Sequence, residues 1–457
     1  MKAHKYKFIF ISLCILAGMC LAIIVQDRVH QPGGIARNVW VGEIPLSGLK
    51  VEDAQRLLEQ EYQARLSNKL TLTYKELSWE LDPAKLGPKL NLATVIQAAY
   101  KVGREGNFWQ RSLIRLQVQR DGLILEPQLI LDEAKVRALG SQLAGDIDQT
   151  ARNARLQVVE QDVRVVPSVT GRRLVVEKLP DLFFKAILEG NEKTISLPVE
   201  EFIPKLTTEK VASWGIKKQV AGFATRFNVA NTNRVKNIEL AAGKLDGHIV
   251  MAGEEFSFNK IVGTRGVREG YTEAPVIIDG KLVPGVGGGV CQVSSTLYNA
   301  LLLADLKASK RNHHSMPVSY LPIGRDAAVA YDYLDLRFRN TSGTALLFKT
   351  SVEGDKLRVA IFGSGSDQVV DLESIVEEKV PAAVEKKLDS SLKPGEEKVI
   401  REGVSGYRVR VWRTVTQGGK LLRRELISTD YYRPVTKIVA VGLKEAEEVT
   451  QQASPEP

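Results

Sequence analysis

Cys291 has the residue type and the surroundings that best fit a chemical role in this 457-residue chain. It follows the glycine run 287–289, and apolar residues at helical spacing begin at Val290. A glycine loop lets backbone N–H groups approach a developing oxyanion, and a helix N-terminus lowers the pKa of a thiol. This combination predicts a cysteine nucleophile with an oxyanion hole. The alternative is a small buried side chain without chemistry.

A cysteine nucleophile needs a base, and His313 and His314 follow the predicted helix closely. The spacing leaves open which of the two reaches Cys291. Farther along, Asp326 would orient an imidazole, and Arg325 would bind a substrate carboxylate through two parallel hydrogen bonds. The alternative for this Arg–Asp pair is an ion pair within a turn.

Metal and cofactor chemistry fit the pattern poorly. One cysteine and two adjacent histidines lack the spacing of a tetrahedral site, so no metal is expected. The glycine loop also lacks the Gly-Lys-Ser/Thr ending of a nucleotide-binding P-loop, and no cofactor is expected.

The composition is that of a globular protein, with 44% hydrophobic and 26% charged residues. The net charge is +9, but acidic and basic residues alternate, and no long Lys/Arg block of the kind that binds nucleic acid is present. A diffuse positive charge fits an anionic membrane or cell wall, and no nucleic-acid partner is expected.

The N-terminus has the pattern of a membrane anchor. Residues 1–7 are lysine-rich, and an uncharged apolar run over residues 8–25, long enough to cross a bilayer, contains Cys14 and Cys20. This pattern predicts a cytoplasmic tail, a single transmembrane helix and an extracellular remainder. A cleaved signal peptide is the alternative. Outside the cytoplasm, Cys291 would then have no intramolecular disulfide partner.

The rest of the chain is predicted to be multidomain and α+β. Residues 38–204 alternate helical and strand patterns, and residues 221–362 contain the Cys291 helix and two hairpin signals. A charged stretch over 373–387 is interpreted as a linker to a small all-β module at 391–443. The polar tail 444–457 is predicted to be disordered.

Several long motifs in the middle segment resemble the VanW domain family. They are Gly253-Glu254-Glu255-Phe256-Ser257-Phe258-Asn259, Gly270-Tyr271, Ala274-Pro275-Val276-Ile277, the run 287–299, His314-Ser315, Gly324-Arg325-Asp326-Ala327 and Asp335-Leu336-Arg337-Phe338-Arg339-Asn340. Alignment on Ser315 favours His314 over His313 as the functional histidine.

The flanking segments resemble known modules as well. Residues 38–204 are similar to the peptidoglycan-binding domain that commonly precedes VanW domains, and residues 391–443 resemble a G-five domain, a β module associated with wall or glycan adhesion.

The resemblance implies an envelope protein that acts on peptidoglycan, in a family named for its association with glycopeptide resistance. It implies an L,D-transpeptidase that forms 3-3 cross-links between stem peptides, with Cys291 as nucleophile and His314 and Asp326 as its partners. The residues expected to form the oxyanion hole or to bind substrate are Gly288, Gly289, Gln292, Ser294, Arg325 and His313. The alternatives are a wall cysteine hydrolase and a non-catalytic protein that binds peptidoglycan.

Overall fold

The computed structural model describes residues 10–15, 17–19, 33–190, 193–278 and 280–442. Within these ranges, no helix is long and apolar enough to cross a membrane. The anchor predicted over 8–25 falls partly outside the described residues, and the tails predicted at 1–7 and 444–457 fall wholly outside them.

The helices and strands are numbered in chain order. The strands are β1 (Val39–Val41), β2 (Ile44–Pro45), β3 (Leu70–Tyr74), β4 (Leu77–Leu81), β5 (Lys89–Leu90), β6 (Leu123–Leu125), β7 (Leu129–Ile130), β8 (Arg155–Val159), β9 (Asp162–Val166), β10 (Gly171–Leu174), β11 (Thr194–Ser196), β12 (Val199–Phe202), β13 (Lys218–Arg226), β14 (Ile249–Val250), β15 (Glu255–Ser257), β16 (Glu273–Ile278), β17 (Lys281–Val286), β18 (Ala308–Lys310), β19 (Arg337–Arg339), β20 (Leu346–Glu353), β21 (Lys356–Gly363), β22 (Gln368–Val380), β23 (Val384–Asp389), β24 (Glu397–Arg401), β25 (Gly406–Gln417), β26 (Lys420–Tyr432) and β27 (Lys437–Gly442). The helices are α1 (Val51–Ser67), α2 (Leu92–Lys101), α3 (Phe108–Asp121), α4 (Glu133–Ile147), α5 (Leu179–Glu189), α6 (Thr208–Ala212), α7 (Thr232–Leu245), α8 (Phe258–Val262) and α9 (Val290–Leu303).

The chain divides into two compact units, and the first comprises residues 1–152 and 169–205. Helix α1 begins with two acidic residues in its first turn, where they favour the helix dipole. Ala54, Leu58 and Tyr62 recur every four residues along α1 and are buried. They pack in one hydrophobic core with Leu72 of β3, which lies between β4 and β11 in a three-stranded sheet. The predicted α+β organisation of this unit is confirmed.

The second unit, residues 153–168 and 206–457, is built on a six-stranded sheet with the order β14–β20–β21–β13–β9–β8. Helix α9 packs on β13 and β21, and α7 packs on β20. Val293, Leu297 and Leu301 recur at helical spacing along α9, and their side chains are wholly buried. Of the fourteen residues of α9, only Cys291 and Leu303 are not buried. Cys291 is therefore a point where this core helix meets solvent.

The hairpin β8–β9 lies inside the sequence range predicted for the first domain, 38–204, but it pairs with the sheet of the second unit. Val163 of β9 donates its N–H to the Lys217 carbonyl at 2.7 Å, beside strand β13. An alternating pattern shows that a strand forms, but it does not show which sheet the strand joins, because both sheets offer a half-buried face.

The C-terminal part of the second unit consists of two three-stranded sheets, β22–β25–β26 and β23–β27–β24. The interpretation of residues 373–387 as a linker is wrong, because β22 and β23 cover most of this stretch. Most side chains of both strands are exposed, so these strands carry charges where a core strand would carry apolar residues.

Candidate active site

The glycine loop before Cys291 has a conformation that larger residues do not fit. Gly289 is the N-cap of α9 and has a φ of 111°. A Cβ on Gly288 would lie 2.5 Å from the carbonyl oxygen of Ala274, so no side chain fits there. The glycines allow the backbone to turn tightly against strand β16 and to enter the helix at Val290. Cys291 is thereby fixed as the second residue of α9.

Asn237 of α7, which is fully buried, holds this loop in place. Its side-chain amide donates to the carbonyls of Gly288 at 2.9 Å and Thr272 at 2.8 Å, and its oxygen accepts the Thr272 N–H. Within the described part of the chain, the N–H groups of Gly288, Gly289 and Cys291 have no hydrogen-bond partner. Free amide donors beside a thiol at a helix start can serve as an oxyanion hole.

His314 and Asp326 lie beside Cys291 in an ordered chain of contacts. The Nδ1 of His314 is 2.5 Å from Oδ2 of Asp326, and the same oxygen accepts the backbone N–H of His314 at 2.7 Å. A carboxylate only accepts, so it fixes the imidazole proton on Nδ1 and leaves Nε2 for the thiol. The Cys291 Sγ interacts with His314, lies 3.3 Å from the Val329 carbonyl oxygen and accepts the Val329 N–H at 3.5 Å.

The electrostatics of the three groups favour a thiolate–imidazolium pair. Burial opposes charge on Cys291, but the hydrogen bond and charge of His314 outweigh it and lower the pKa of the thiol. Burial also opposes charge on His314, but the hydrogen bonds and charges of Asp326 and Cys291 raise its pKa to about 9. Burial alone would raise the pKa of Asp326, yet its His314 contact lowers it to about 2.

One polar face of α9 holds the segment that carries Asp326. Ser294 donates to the Ala327 carbonyl at 2.7 Å, and Ser295 accepts the Ala327 N–H at 2.9 Å. Asn299 donates to the Arg325 carbonyl at 2.8 Å. The polar residues that follow Cys291 in sequence therefore fix the distance between α9 and the acidic partner of His314.

Two further residues that the sequence did not indicate donate to the Asp326 carboxylate. Its Oδ1 accepts the Tyr432 hydroxyl at 2.5 Å, and Arg311 approaches the same oxygen at 3.4 Å. Arg311 in turn donates to both carboxylate oxygens of Asp430 at 2.7 Å. Tyr432 and Asp430 belong to β26, so a strand of the C-terminal sheets supplies a hydroxyl donor to the acid behind His314 and holds Arg311 beside it.

Replacing Tyr432 with phenylalanine should destabilise the protein by about 1–3 kcal/mol, because a buried carboxylate loses a hydrogen-bond donor. Tyr432 is completely buried. We expect the loss to appear as a lower midpoint in urea denaturation, with an unchanged slope.

Tyr431→Phe is the matched control, since Tyr431 is the neighbouring tyrosine and is 41% exposed. It should change the free energy of unfolding by less than about 0.5 kcal/mol. Equal effects of the two substitutions would show that the Tyr432 hydroxyl contributes nothing to Asp326.

Cys291 opens into a cleft of about 1590 Å³. The cleft is lined by the candidate residues Gly288, Gly289, Cys291, Gln292 and His314. The side-chain amide of Gln292 is engaged, since it donates to Thr225 at 3.0 Å and to the Arg226 carbonyl at 2.9 Å. Its role in this structure is to attach α9 to strand β13.

Three other candidates point elsewhere. Arg325 donates its Nε to Asn299 at 2.7 Å and lies over the Phe223 ring, outside the cleft lining. The Nδ1 of His313 contacts the His314 carbonyl at 2.7 Å, and its ring packs against the Tyr432 ring at a tilt of 56°. Ser294 is buried against Ala327. The structure therefore brings Cys291, His314 and Asp326 together and places Arg325 outside the cleft lining.

Arg234 and Arg265 line the cleft beside Cys291 and were missed in the sequence. Neither belongs to a motif that indicates chemistry, and isolated arginines are ordinarily surface residues. Their positions depend on how α7 and the loop after α8 pack against α9, which spacing along the chain does not reveal.

Three known protein-family models match parts of this chain. The family model for VanW-like proteins matches residues 233–362. The model for a peptidoglycan binding domain matches residues 79–196, and that for a G5 domain matches residues 372–444. The G5 match begins within β22 and so includes the charged stretch assigned to a linker in the sequence.

Two bacterial proteins are similar to parts of this chain. The uncharacterized protein YoaR of Bacillus subtilis is 34% identical over 225 residues, which span 49% of this chain and 74% of that protein. The vancomycin B-type resistance protein VanW of Enterococcus faecalis is 29% identical over 143 residues, 30% of this chain and 52% of that protein.

Among solved structures, the G5 domain of an IgA1 protease is 27% identical over 17% of this chain and 92% of that chain, with a TM-score of 0.14. The VanW match contains Cys291, His314 and Asp326, and the similarity to YoaR extends over most of that relative. The chain therefore belongs to the family of VanW-like proteins.

Proposed function

We propose that this protein is a cysteine acyltransferase of the cell envelope that acts on peptidoglycan stem peptides as an L,D-transpeptidase. The observation that carries the proposal is the Cys291–His314–Asp326 arrangement at the start of α9, facing an open cleft. A thiolate at a helix N-terminus, a histidine oriented by a buried carboxylate and free backbone amides are what acyl transfer requires.

In the first step, the Cys291 thiolate attacks the carbonyl of the third stem-peptide residue in the donor. The negative charge that develops on that oxygen would be met by the free N–H groups of the glycine loop. The C–N bond to the terminal D-alanine breaks, and the His314 imidazolium gives its proton to the departing amine. The products are a thioester on Cys291, neutral His314 and free D-alanine.

In the second step, the side-chain amine of an acceptor stem peptide attacks the thioester. Neutral His314 takes a proton from this amine, the new amide bond forms, and the C–S bond breaks. The thiolate–imidazolium pair is thereby restored, so the cycle needs no oxidant and no external base. Asp326 keeps the Nδ1 proton in place throughout and stabilises the imidazolium.

The flanking modules support a wall substrate. The peptidoglycan-binding match at 79–196 and the G5 match at 372–444 lie on both sides of the VanW match. We infer that they hold the protein on the wall polymer and raise the local concentration of stem peptides. The apolar run 8–25 would place these modules on the outer face as a membrane anchor, and cell fractionation with and without that run tests this.

The decisive experiment incubates the full-length protein with a disaccharide-tetrapeptide and follows the products by mass spectrometry. Transfer predicts a cross-linked dimer together with free D-alanine. A shortened monomer alone would indicate a wall hydrolase, in which water resolves the thioester. No turnover and no thioester, under conditions where the muropeptide is bound, would leave a non-catalytic peptidoglycan-binding protein.

A further inference from the structure

Apart from the Cys291 thiolate, the charged side chains among the described residues that line the cleft are all basic. The charged residues that line it are Arg226, Arg234 and Arg265, together with His314, and no Asp or Glu is found among its described lining residues. Arg226 is already paired, since its Nη1 lies 2.5 Å from the carboxylate of Asp355. The remaining two arginines give the cleft a positive potential that attracts anions.

Arg234 and Arg265 are held by neutral amides rather than by carboxylates. Arg234 donates one N–H to the side-chain oxygen of Gln292 at 3.0 Å, and Arg265 donates one to the side-chain oxygen of Asn259. Among the described residues, neither guanidinium forms an ion pair with an acid. Each guanidinium has five N–H donors, so most of its donors remain available.

Arg265 gives stronger evidence for a missing ligand than Arg234 does. Its Nε is buried and has no hydrogen-bond partner among the described residues. The charge of Asp335 lies nearby, but both oxygens of that carboxylate are occupied, one by the Asn259 N–H at 2.9 Å and the other by Ser257 at 2.7 Å. Apart from the Cys291 charge, this half-buried guanidinium has no free anionic partner among the described residues, and a bound carboxylate would recover part of the free energy that its burial costs.

The two arginines bracket the glycine loop that precedes the nucleophile. A Cβ built on Gly289 would lie 3.1 Å from Cγ of Arg234, and one built on Gly287 would lie 3.4 Å from Cβ of Arg265. The charge of Arg265 also acts on Cys291. Both arginines line the cleft together with Cys291, so a ligand group that they bind would lie near the nucleophile.

The geometry points to Arg234 and Arg265 as a subsite for a substrate carboxylate beside the scissile carbonyl. The substrate class is accordingly a peptide with a free carboxylate within one residue of the bond that Cys291 attacks. This assignment rests on the function proposed above, and it moves the carboxylate-binding role from Arg325, which lies outside the cleft lining, to two arginines that belong to it. Two sources supply such a carboxylate in a stem peptide: the C-terminus of the donor and the side chain of its third residue.

The test measures binding rather than turnover, in the Cys291→Ala protein, by titration calorimetry. Three donor tetrapeptides are compared: the free acid, the C-terminal amide and the amide of the third side chain. We expect one amide to bind about 10-fold or more weakly than the free acid, and that amide identifies the source of the carboxylate.

Arg234→Gln and Arg265→Gln, in the same background, should reduce the ratio of acid to amide affinity towards one. Arg234→Lys and Arg265→Lys retain the charge but lose the planar fork, so they should keep only part of the preference. Arg226→Gln is the matched control, because that arginine is paired with Asp355, and it should leave the ratio unchanged. Thermal unfolding of each variant identifies any that fail to fold.

Equal affinities for the acid and both amides, or a ratio that survives in every folded Arg234 and Arg265 variant, would overturn the subsite. A different result decides the proposed function. Acid-selective binding without turnover by the intact protein would leave the subsite and reject the transpeptidase, while turnover without selectivity would do the reverse.

Discussion

Replacing Cys291 with serine should abolish the acyl-enzyme and lower turnover by about 10⁴-fold or more, because a neutral hydroxyl is a far weaker nucleophile than a thiolate. The effect should be on chemistry and not on folding, since the side chain is only partly buried and its main contact is to the Val329 backbone. Intact-protein mass spectrometry after brief mixing with donor should find the acyl adduct on the native protein and none on the variant.

The control uses the other thiols of the chain, which contains three cysteines. A Cys14→Ser, Cys20→Ser protein retains Cys291 as its single thiol and should keep full turnover. Its alkylation by iodoacetamide should remain fast at pH 7, below the ordinary pKa of a free thiol of about 8.5. An adduct that persists in Cys291→Ser, or alkylation no faster than that of a free thiol, would remove Cys291 from the chemistry.

Asp326→Asn should reduce turnover by roughly 10²–10⁴-fold, since the amide no longer fixes the His314 proton on Nδ1 and no longer stabilises the imidazolium. The pH dependence of turnover gives a specific test of this role of Asp326. In the native protein the pair is active between the lowered pKa of Cys291 and the pKa of His314 at about 9, so activity should fall as pH rises through that value. Loss of the Asp326 charge should move this upper limb to lower pH.

The free energy of unfolding should also depend on pH, with signs set by the pKa shifts of His314 and Asp326. The pKa of His314 rises from 6.5 to about 9 on folding, so its stabilising contribution is complete below pH 6.5 and is lost as pH rises through 9. The pKa of Asp326 falls from 3.8 to about 2, so its contribution is present above pH 3.8 and is lost as pH falls through 2. The difference in melting temperature between native protein and Asp326→Asn should be largest near pH 6, should shrink as pH rises through 9, and should vanish as pH falls towards 2.

Glu254→Gln is a suitable comparison for charge removal. Its carboxylate accepts the Met251 N–H at 2.8 Å, outside the residues that line the cleft. Glu254→Gln should leave unchanged the pH at which activity falls on the alkaline side. If Asp326→Asn also leaves that pH unchanged, the alkaline loss of activity belongs to a group other than His314.

The local part of this site could be predicted from the sequence, because it depends on the order of neighbouring residues. Three glycines before an apolar helical pattern predict a tight loop and a helix start, and the structure has α9 beginning at Val290. The role of Asn299 shows the limit. Its side chain binds both the Arg325 guanidinium and the Arg325 carbonyl, and this contact turns Arg325 away from the cleft. Such pairing depends on tertiary packing and has no signal in either residue alone.

The same limit applies at larger separations. Tyr432 is 106 residues from the carboxylate it binds and lies in a β strand that has no chemical motif. The hairpin β8–β9 is as readily assigned to one sheet as to the other when only its alternating pattern is known. The sequence of a charged strand such as β22 is easily mistaken for a linker. A strand exposed to water needs no apolar face, so it lacks the alternating apolar pattern by which strands are identified.

The contact between β26 and Asp326 also constrains how this protein can be cut and recombined. A chain that ended after β21 would keep every residue of the Cys291–His314–Asp326 arrangement, yet would lose both the tyrosine hydroxyl and the acid that anchors Arg311. A G5 module from another protein would restore the site only if its final long strand supplied both groups in the same register. The C-terminal module and the Cys291–His314–Asp326 arrangement would thus have to be inherited together, because neither the Tyr432 hydroxyl nor the Asp430 carboxylate is supplied by the rest of the site.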